Sequence, residues 1–446
     1  MLANVLRSKR RRILAAVLSC VMLLGVVAFA VRGKVPAASA YSADVLRAII
    51  GDQAVAKLEN FVYQLQDQFN QSAYNLGADQ PAAPWATAAA NSSGAGHAAA
   101  AITPTPPPAN AATANAAYTP TPAPAGSGTH SGPVVSQTSL PATASVAVAV
   151  VGAQPGPTAT AWPPPLVAAP GVPLAALEAL PGAGQWAPYL VGPSGQAVAA
   201  RTFIQPDTTR QYAVVAIVAF KLSQARLHFV LGTNEPYSDV PITRTGLIPP
   251  QDSLPGVLLA TFNGGFKARH GHSGAMVDGV TVLPPRPGFA TVAIYADGHV
   301  EIGSWGVSMT ATPNMLAWRQ NGPLIIQDGQ INPHTLDAAP QDWGYSLDGN
   351  TTVWRSGLAI SADGQTLYYV AGPHLTMPAL ASALTATGAA QAMQLDINNF
   401  WVHFDAIQAA GDKLQAVPLV DGMNNGVGRY LEGYSRDFFY ITANAN

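Results

Sequence analysis

From Ala82 to Ala175 the chain has no Asp, Glu, Lys or Arg. A stretch that long, with few large apolar side chains and neither helical nor strand periodicity, has little to bury and no packed core to form. It reads as a linker over residues 79–177, and it divides the 446-residue chain into a short N-terminal part and one large C-terminal body. Pro104-Thr105-Pro106-Pro107-Pro108, Thr119-Pro120-Thr121-Pro122 and Trp162-Pro163-Pro164-Pro165 are polyproline II formers. The Ala, Gly and Ser stretches between them are flexible. The expected linker is proline-rich, disordered and extended, either reaching across an envelope layer or acting as a neutral tether.

Charge is distributed unevenly about this divide. Arg7, Lys9, Arg10, Arg11, Arg12, Arg32 and Lys34 lie in residues 1–34 without a single acid. Ile13 to Val31 is a run of nineteen uncharged residues. At 1.5 Å rise per residue it spans about 28 Å, close to the ~30 Å hydrocarbon core of a bilayer. Basic residues stay cytoplasmic, so a single-pass anchor would place the rest of the chain outside. A signal peptide cleaved after Ala40, in the small-residue site Ala38-Ser39-Ala40, is the competing reading, and it also places the body outside the cytoplasm. The spacing of Leu46, Ile49, Ile50, Val55, Leu58, Phe61, Val62, Leu65 and Phe69 predicts an amphipathic helix within residues 41–78. That helix would lie on the bilayer, pair with a copy of itself, or pack on its own domain.

The body, residues 178–446, has 13 basic and 19 acidic residues, a net charge of −6. Nucleic acid is excluded as a partner, since it requires a basic footprint. Cys20 is the sole cysteine, so intrachain disulfides and cysteine-based metal sites are excluded too. Short apolar runs such as 212–220, 226–231, 257–262, 291–295, 300–302, 324–326 and 366–370 read as strands. Asp297-Gly298, Asp328-Gly329 and Asp363-Gly364 read as tight turns, where positive φ is needed. Thr376 caps a helix from Met377 to about Thr387, with Pro378 in its first turn and Gly388 ending it. The fold class is α+β: a strand-rich mixed sheet with few helices, preceded by a transmembrane helix, an amphipathic helix and the linker.

Several polar groups stand at strand ends. Asn263-Gly264-Gly265-Phe266 follows a buried strand, where the glycines let backbone approach a ligand and Asn both donates and accepts; an ordinary hairpin turn is the simpler reading. His270 and His272 flank Gly271, but a pair falls short of the three protein ligands of a catalytic zinc, so no metal or cofactor is called. Arg355 lies between apolar residues and must meet an acid such as Asp348 or Asp396, water, or a phosphate gripped by its fork. Asp396 ends the strand 392–395, followed by Ile397-Asn398-Asn399.

In this order the fragments resemble the phosphodiester glycosidase family. That family also holds the lysosomal enzyme that uncovers mannose 6-phosphate and many bacterial exported proteins linked to exopolysaccharide. The likeness runs over residues 200–442. Phe262-Asn263-Gly264-Gly265-Phe266 is similar to the family's Asn-Gly-Gly-Phe-Phe, and Gly274-Ala275-Met276-Val277-Asp278-Gly279 to its glycine, apolar, Asp-Gly turn. Gly322-Pro323-Leu324-Ile325 resembles its Gly-Pro-Leu segment, Arg355-Ser356-Gly357-Leu358-Ala359 its Arg-Thr-Ala-Ile-Gly, Gln394-Leu395-Asp396 its Asn-Leu-Asp, and Ser435-Arg436 its Glu-Arg.

The resemblance implies hydrolysis of a sugar-1-phosphodiester in a surface glycan, with a carbohydrate ligand and no cofactor. It implies Asp396 and Arg355 as catalytic, and Asn263, Gly264, Gly265, Asp278, Gly322, Asn398, Asn399 and Arg436 as substrate-binding. This chain departs from the family where a glycine triplet should follow Leu-Asp, at Ile397-Asn398-Asn399-Phe400, and at Lys267 and Ser435. An anion cradle there must be rebuilt from the Asn398 and Asn399 amides. A non-catalytic glycan-binding domain on the same fold is the alternative. For it the aromatics Trp343, Trp354, Phe400 and Trp401 are candidates to stack on sugars, with core packing as their plainer role.

Overall fold

The computed structural model describes residues 51–78, 80–85, 162–336, 340–344 and 348–444. The apolar run at 13–31 and linker residues 86–161 lie outside the described residues. Among the described residues, no helix is long and apolar enough to cross a membrane.

Eighteen strands among the described residues, β1 to β18 in chain order, form three sheets. The eight-stranded sheet runs β1 (Ala187–Val191), β2 (Ala197–Ile204), β3 (Val215–Lys221), β14 (Thr366–Leu375), β13 (Val353–Ile360), β15 (Gln391–Ile397), β11 (Leu324–Gln327), β12 (Gln330–Ile331). A five-stranded sheet runs β7 (Val280–Leu283), β6 (Ala275–Val277), β10 (Met315–Gln320), β8 (Ala290–Tyr295), β9 (Val300–Ser304). The third runs β17 (Lys413–Pro418), β16 (Phe404–Ala410), β5 (Leu258–Asn263), β18 (Phe438–Ala443), β4 (Ala225–Val230). Among the described residues four helices accompany them: α1 (Asp52–Asn75), α2 (Leu174–Leu177), α3 (Pro340–Trp343) and α4 (Met377–Ala386).

The domain is strand-rich with few helices, but its sheets are not mixed. Every named strand pair is antiparallel. Tight hairpins account for much of this. Asp278 and Gly279 have φ of 50° and 74°, Asp328 and Gly329 51° and 75°, the paired positive values that suit hairpin turns. Helix α4 makes the crossover from β14 to β15. Because β15 returns to the far side of β13, it too pairs antiparallel. The α4 cap is as the sequence implies: the Thr376 side chain accepts the Ala379 N–H at 3.2 Å.

Strand periodicity builds two cores on opposite faces of the large sheet. Ala216, Val218 and Phe220 of β3 with Leu367, Tyr369 and Ala371 of β14 join one cluster, shared with β5, β8 and β16. Val215, Ile217, Ala219, Tyr368 and Val370 join the other, beneath α4. The folded body begins before Glu178. Leu166, Ala169, Val172 and Leu177 are buried in the core beneath α4, and the Trp162 indole donates to Thr366 Oγ1 at 3.2 Å. Lacking charge does not make this piece a linker, because its few large apolar side chains find a groove.

Helix α1 docks on the domain through polar side chains seven, three and four residues apart, which share one helix face. Asn60 accepts from Thr351 at 2.9 Å, Asp67 pairs with Arg210 at 3.0 Å, Asn70 meets His374 at 3.2 Å and Tyr74 donates to Gln211 at 2.7 Å. Val55 is buried, but Phe61 and Phe69 of the expected apolar face are about half exposed, at 48% and 53%. Tyr63 packs beside Phe266, Val353 and Ile397.

Candidate active site

The loop after β5 meets the end of β15, and a carboxylate sits between them. Asp396 is 5% exposed. Its Oδ1 accepts the Ile397 N–H at 2.8 Å, and its Oδ2 pairs with Arg436. Arg436 also donates to the Gly265 carbonyl at 2.9 Å and lies 4.3 Å from the Trp401 ring centre. The Lys267 ammonium lies 5.2 Å from the same ring and acts electrostatically on Asp396. Burial pushes the Asp396 carboxyl up to about 6, against the opposing pull of Arg436, the Ile397 N–H and Lys267. Such a group titrates near the working pH, as acid–base and electrostatic catalysis require.

A β-bulge aims this carboxylate. Arg355 pairs with Ile397 while Gly357 pairs with Gln394, so Leu395 and Asp396 together oppose Ser356 alone. In a regular strand Gln394 and Asp396 would share a face. Here Gln394 reaches the Trp343 carbonyl at 3.1 Å and Arg355 at 3.4 Å, whereas Asp396 meets Arg436.

Beneath the site lies a second, wholly buried ion pair. Arg319 Nε donates to Asp437 Oδ2 at 2.8 Å, with neither side chain exposed. The remaining Arg319 donors hold the carbonyls of Ser273, Gly274, Gln320 and Phe266. Asp437 also accepts the Gly265 N–H at 3.1 Å. A Cβ on Gly264 would come within 2.4 Å of the Asp437 carboxylate, so that glycine is required by packing against protein. Asn321 accepts the Phe266 N–H and donates to the carbonyls of Gln394 and Leu395. It thereby ties the loop after β5 to β15.

These contacts separate the expected site residues. Asp396 and Arg436 come together, and Gly265 supports Arg436. Asn263 is nearby but fully engaged: it donates to the Gly264 carbonyl and Ser356 Oγ, and accepts from Tyr369 and the His403 N–H. Ser356 in turn donates to the Asp396 carbonyl at 2.8 Å. Arg355 does not face Asp396. It is fully buried and donates to the carbonyls of Leu375, Trp343, Asp348 and Thr351, and to Gln394 Oε1. Its fork is filled by protein oxygens, so a phosphate grip is not what this geometry provides. Asp278 is an exposed turn residue between β6 and β7. Gly322, at φ 61°, closes against the Asp342 carbonyl. Asn398 adopts φ 83° and accepts the Phe400 N–H at 2.9 Å, shaping the turn that brings Trp401 over Arg436. Asn399 is half-buried beside it. Of the candidate aromatics, Trp343 is core, Trp354 packs partly buried against core, and Phe400 meets Trp401 edge to face at 4.5 Å.

Lys267 stood out in the sequence only as a departure from pattern, and Arg319 and Asp437 did not stand out at all. Adjacency held one signal: Asp437 follows Arg436, and Arg319 precedes Gln320-Asn321.

Residues 257–396 match the family model described as phosphodiester glycosidase. Among solved structures, the chain is similar to the zebrafish N-acetylglucosamine-1-phosphodiester alpha-N-acetylglucosaminidase catalytic domain auto-inhibited by pro-peptide, at 12% identity and a TM-score of 0.36, over 58% of this chain and 87% of that one. It is similar to a hypothetical protein from Synechocystis at 11% identity and 0.29, over 58% and 62%. It is also similar to a Burkholderia pseudomallei protein described as exported, at 11% and 0.29, over 51% and 74%. No curated protein matches the chain.

Proposed function

We propose, from the premise that this chain carries a phosphodiester glycosidase domain, that it hydrolyses the bond between a sugar anomeric carbon and a phosphodiester oxygen in an extracytoplasmic glycan. The observation that carries this reading is Asp396: a buried carboxylate, lifted to about 6, ending the matched segment and paired with Arg436. A phosphodiester is a good leaving group and needs little acid help. The protein must instead stabilise an oxocarbenium-like sugar and deliver water to it. Above pH 6 Asp396 is the anion that does the first and accepts a proton for the second. Arg436 positions that carboxylate through one oxygen, and Trp401, lying over Arg436, is placed to close one side of the sugar.

The test is release of free sugar from a sugar-1-phosphodiester, with binding of the same compound measured alongside. Turnover is expected. Binding without turnover would instead favour the glycan-binding alternative, for which the occupation of both Asp396 oxygens by the Ile397 N–H and Arg436 is the specific support.

The extracytoplasmic placement rests on the basic cluster before the nineteen-residue uncharged run at 13–31. Protease added to intact cells should cut in the charge-free segment and release a fragment carrying Asn263 and Asp396. Protection until the cells are opened would put the domain on the wrong side.

A further inference from the structure

The stretch leading away from the site is unusually basic for this domain. Between Val257 and Ala296 the only acid is Asp278, against Lys267, Arg269 and Arg286, while the body as a whole is at −6. Lys267 acts on Asp396 and lies over Trp401. Arg269 follows in a 3-10 turn, Ala268–His270, with its side chain exposed. Arg286 is exposed as well, and its guanidinium donates to the Gly271 carbonyl, which brings it to the end of that turn.

This strip is held in place rather than trailing in solvent. Buried Gln320 accepts the Arg286 N–H at 2.7 Å and donates to the Arg286 carbonyl at 3.2 Å. The same Gln320 oxygen accepts the Gly274 N–H at 3.1 Å, so one side chain fixes both edges of the loop. The Arg286 guanidinium stacks 4.2 Å from the centre of the Phe289 ring, and Glu235 accepts the Ala268 N–H at 2.8 Å. A cation pre-positioned by such contacts loses little freedom on binding, which favours a multivalent anion over mobile counterions.

We infer that Lys267, Arg269 and Arg286 form a cationic rim leading out of the Asp396 site, and that the substrate is a polyanion with repeated phosphodiesters rather than a single sugar phosphodiester. This rests on the glycosidase reading for what happens at Asp396, but the rim itself is a binding surface that can be measured without turnover. The scissile phosphodiester lies at Lys267, and the phosphates that follow it along the polymer lie at Arg269 and Arg286. Several contacts made at once to one chain raise affinity well beyond that of any single contact. At Arg269 and Arg286 the attraction is between exposed charges, so it weakens as salt shortens the Debye length.

Inorganic polyphosphate and inorganic monophosphate, titrated against the full chain at pH 8 and 50 mM salt, provide the probe. Polyphosphate should bind at least tenfold tighter per molecule, with the advantage shrinking at 300 mM salt. The double variant Arg269→Gln with Arg286→Gln should lose most of that advantage, and Arg269→Lys with Arg286→Lys should keep most of it. Equal affinity for the two probes, or a double glutamine variant that retains the preference, would overturn the rim. A chain that shows the arginine-dependent preference but releases no sugar from any phosphodiester would support the rim and remove the glycosidase reading, so the two fail separately.

Discussion

Arg355→Ala should leave a domain that melts at least about 8 °C lower than wild type, or that does not fold. The guanidinium is fully buried and supplies donors to four carbonyls and one amide oxygen from four separate segments. Burial pulls it down to about 9, with Asp348 opposing, so it remains charged at neutral pH. Removing it leaves buried acceptors without a donor, at about 1–3 kcal/mol for each that cannot relax. Even with partial relaxation the loss should reach about 4 kcal/mol, and a domain of this size loses about 2–4 °C per kcal/mol. Arg355→Lys should recover less than half, because a single ammonium cannot span the fork. Circular dichroism melts of the full chain would check this. A midpoint within about 2 °C of wild type, accompanied by lost phosphodiester binding, would return Arg355 to the role of ligand grip.

Asp396→Asn should cost about 10²–10⁴ in turnover, with the thermal midpoint within a few degrees. The amide keeps an oxygen for the Ile397 N–H, and Arg436 keeps the Gly265 carbonyl and the face of Trp401. Wild-type kcat/KM should rise with pH through about 6, where the carboxyl ionises, and the asparagine variant should lack that limb.

Stability should move the opposite way. The folded-state pKa lies above the unfolded value, so the folded chain holds the extra proton between about pH 4 and 6. Stability contributed by protonated Asp396 is fully present below pH 4 and is lost as pH rises through 6. The variant, having nothing to ionise, should not show this slope. Activity unchanged in Asp396→Asn would remove the residue from the chemistry.

The strands of the domain were legible because period-two runs and Asp-Gly turns are local signals. Residues 324–326, 366–370 and 392–395 each sit inside a strand of the large sheet. Antiparallel pairing was not legible, since it depends on where each connection returns. Nor was the start of the fold: Leu166, Val172 and Leu177 are core, yet they stand in charge-free, proline-rich sequence whose composition suggests a tether. At the site, the resemblance located Asp396 and Arg436, but it placed Arg355 on a ligand. A buried arginine looks the same in sequence whether it meets a phosphate or five protein oxygens. Backbone carbonyls carry no residue identity, so nothing in the letters marks them as partners.

The extra residue in β15 has a consequence for how such a chain can change over generations. Gln394 serves the scaffold and Asp396 the cleft, two positions apart, and only the bulge opposite Ser356 keeps them in different environments. Substitution alters one environment at a time. A single residue gained in the short interval of β13 between Arg355 and Gly357 would remove the bulge and turn the carboxylate toward Arg355 and the carbonyls it holds. The number of residues in that short interval is therefore a stricter requirement than their identity. A lineage could exchange many side chains around this cleft and keep its chemistry, yet lose it by gaining one codon in β13.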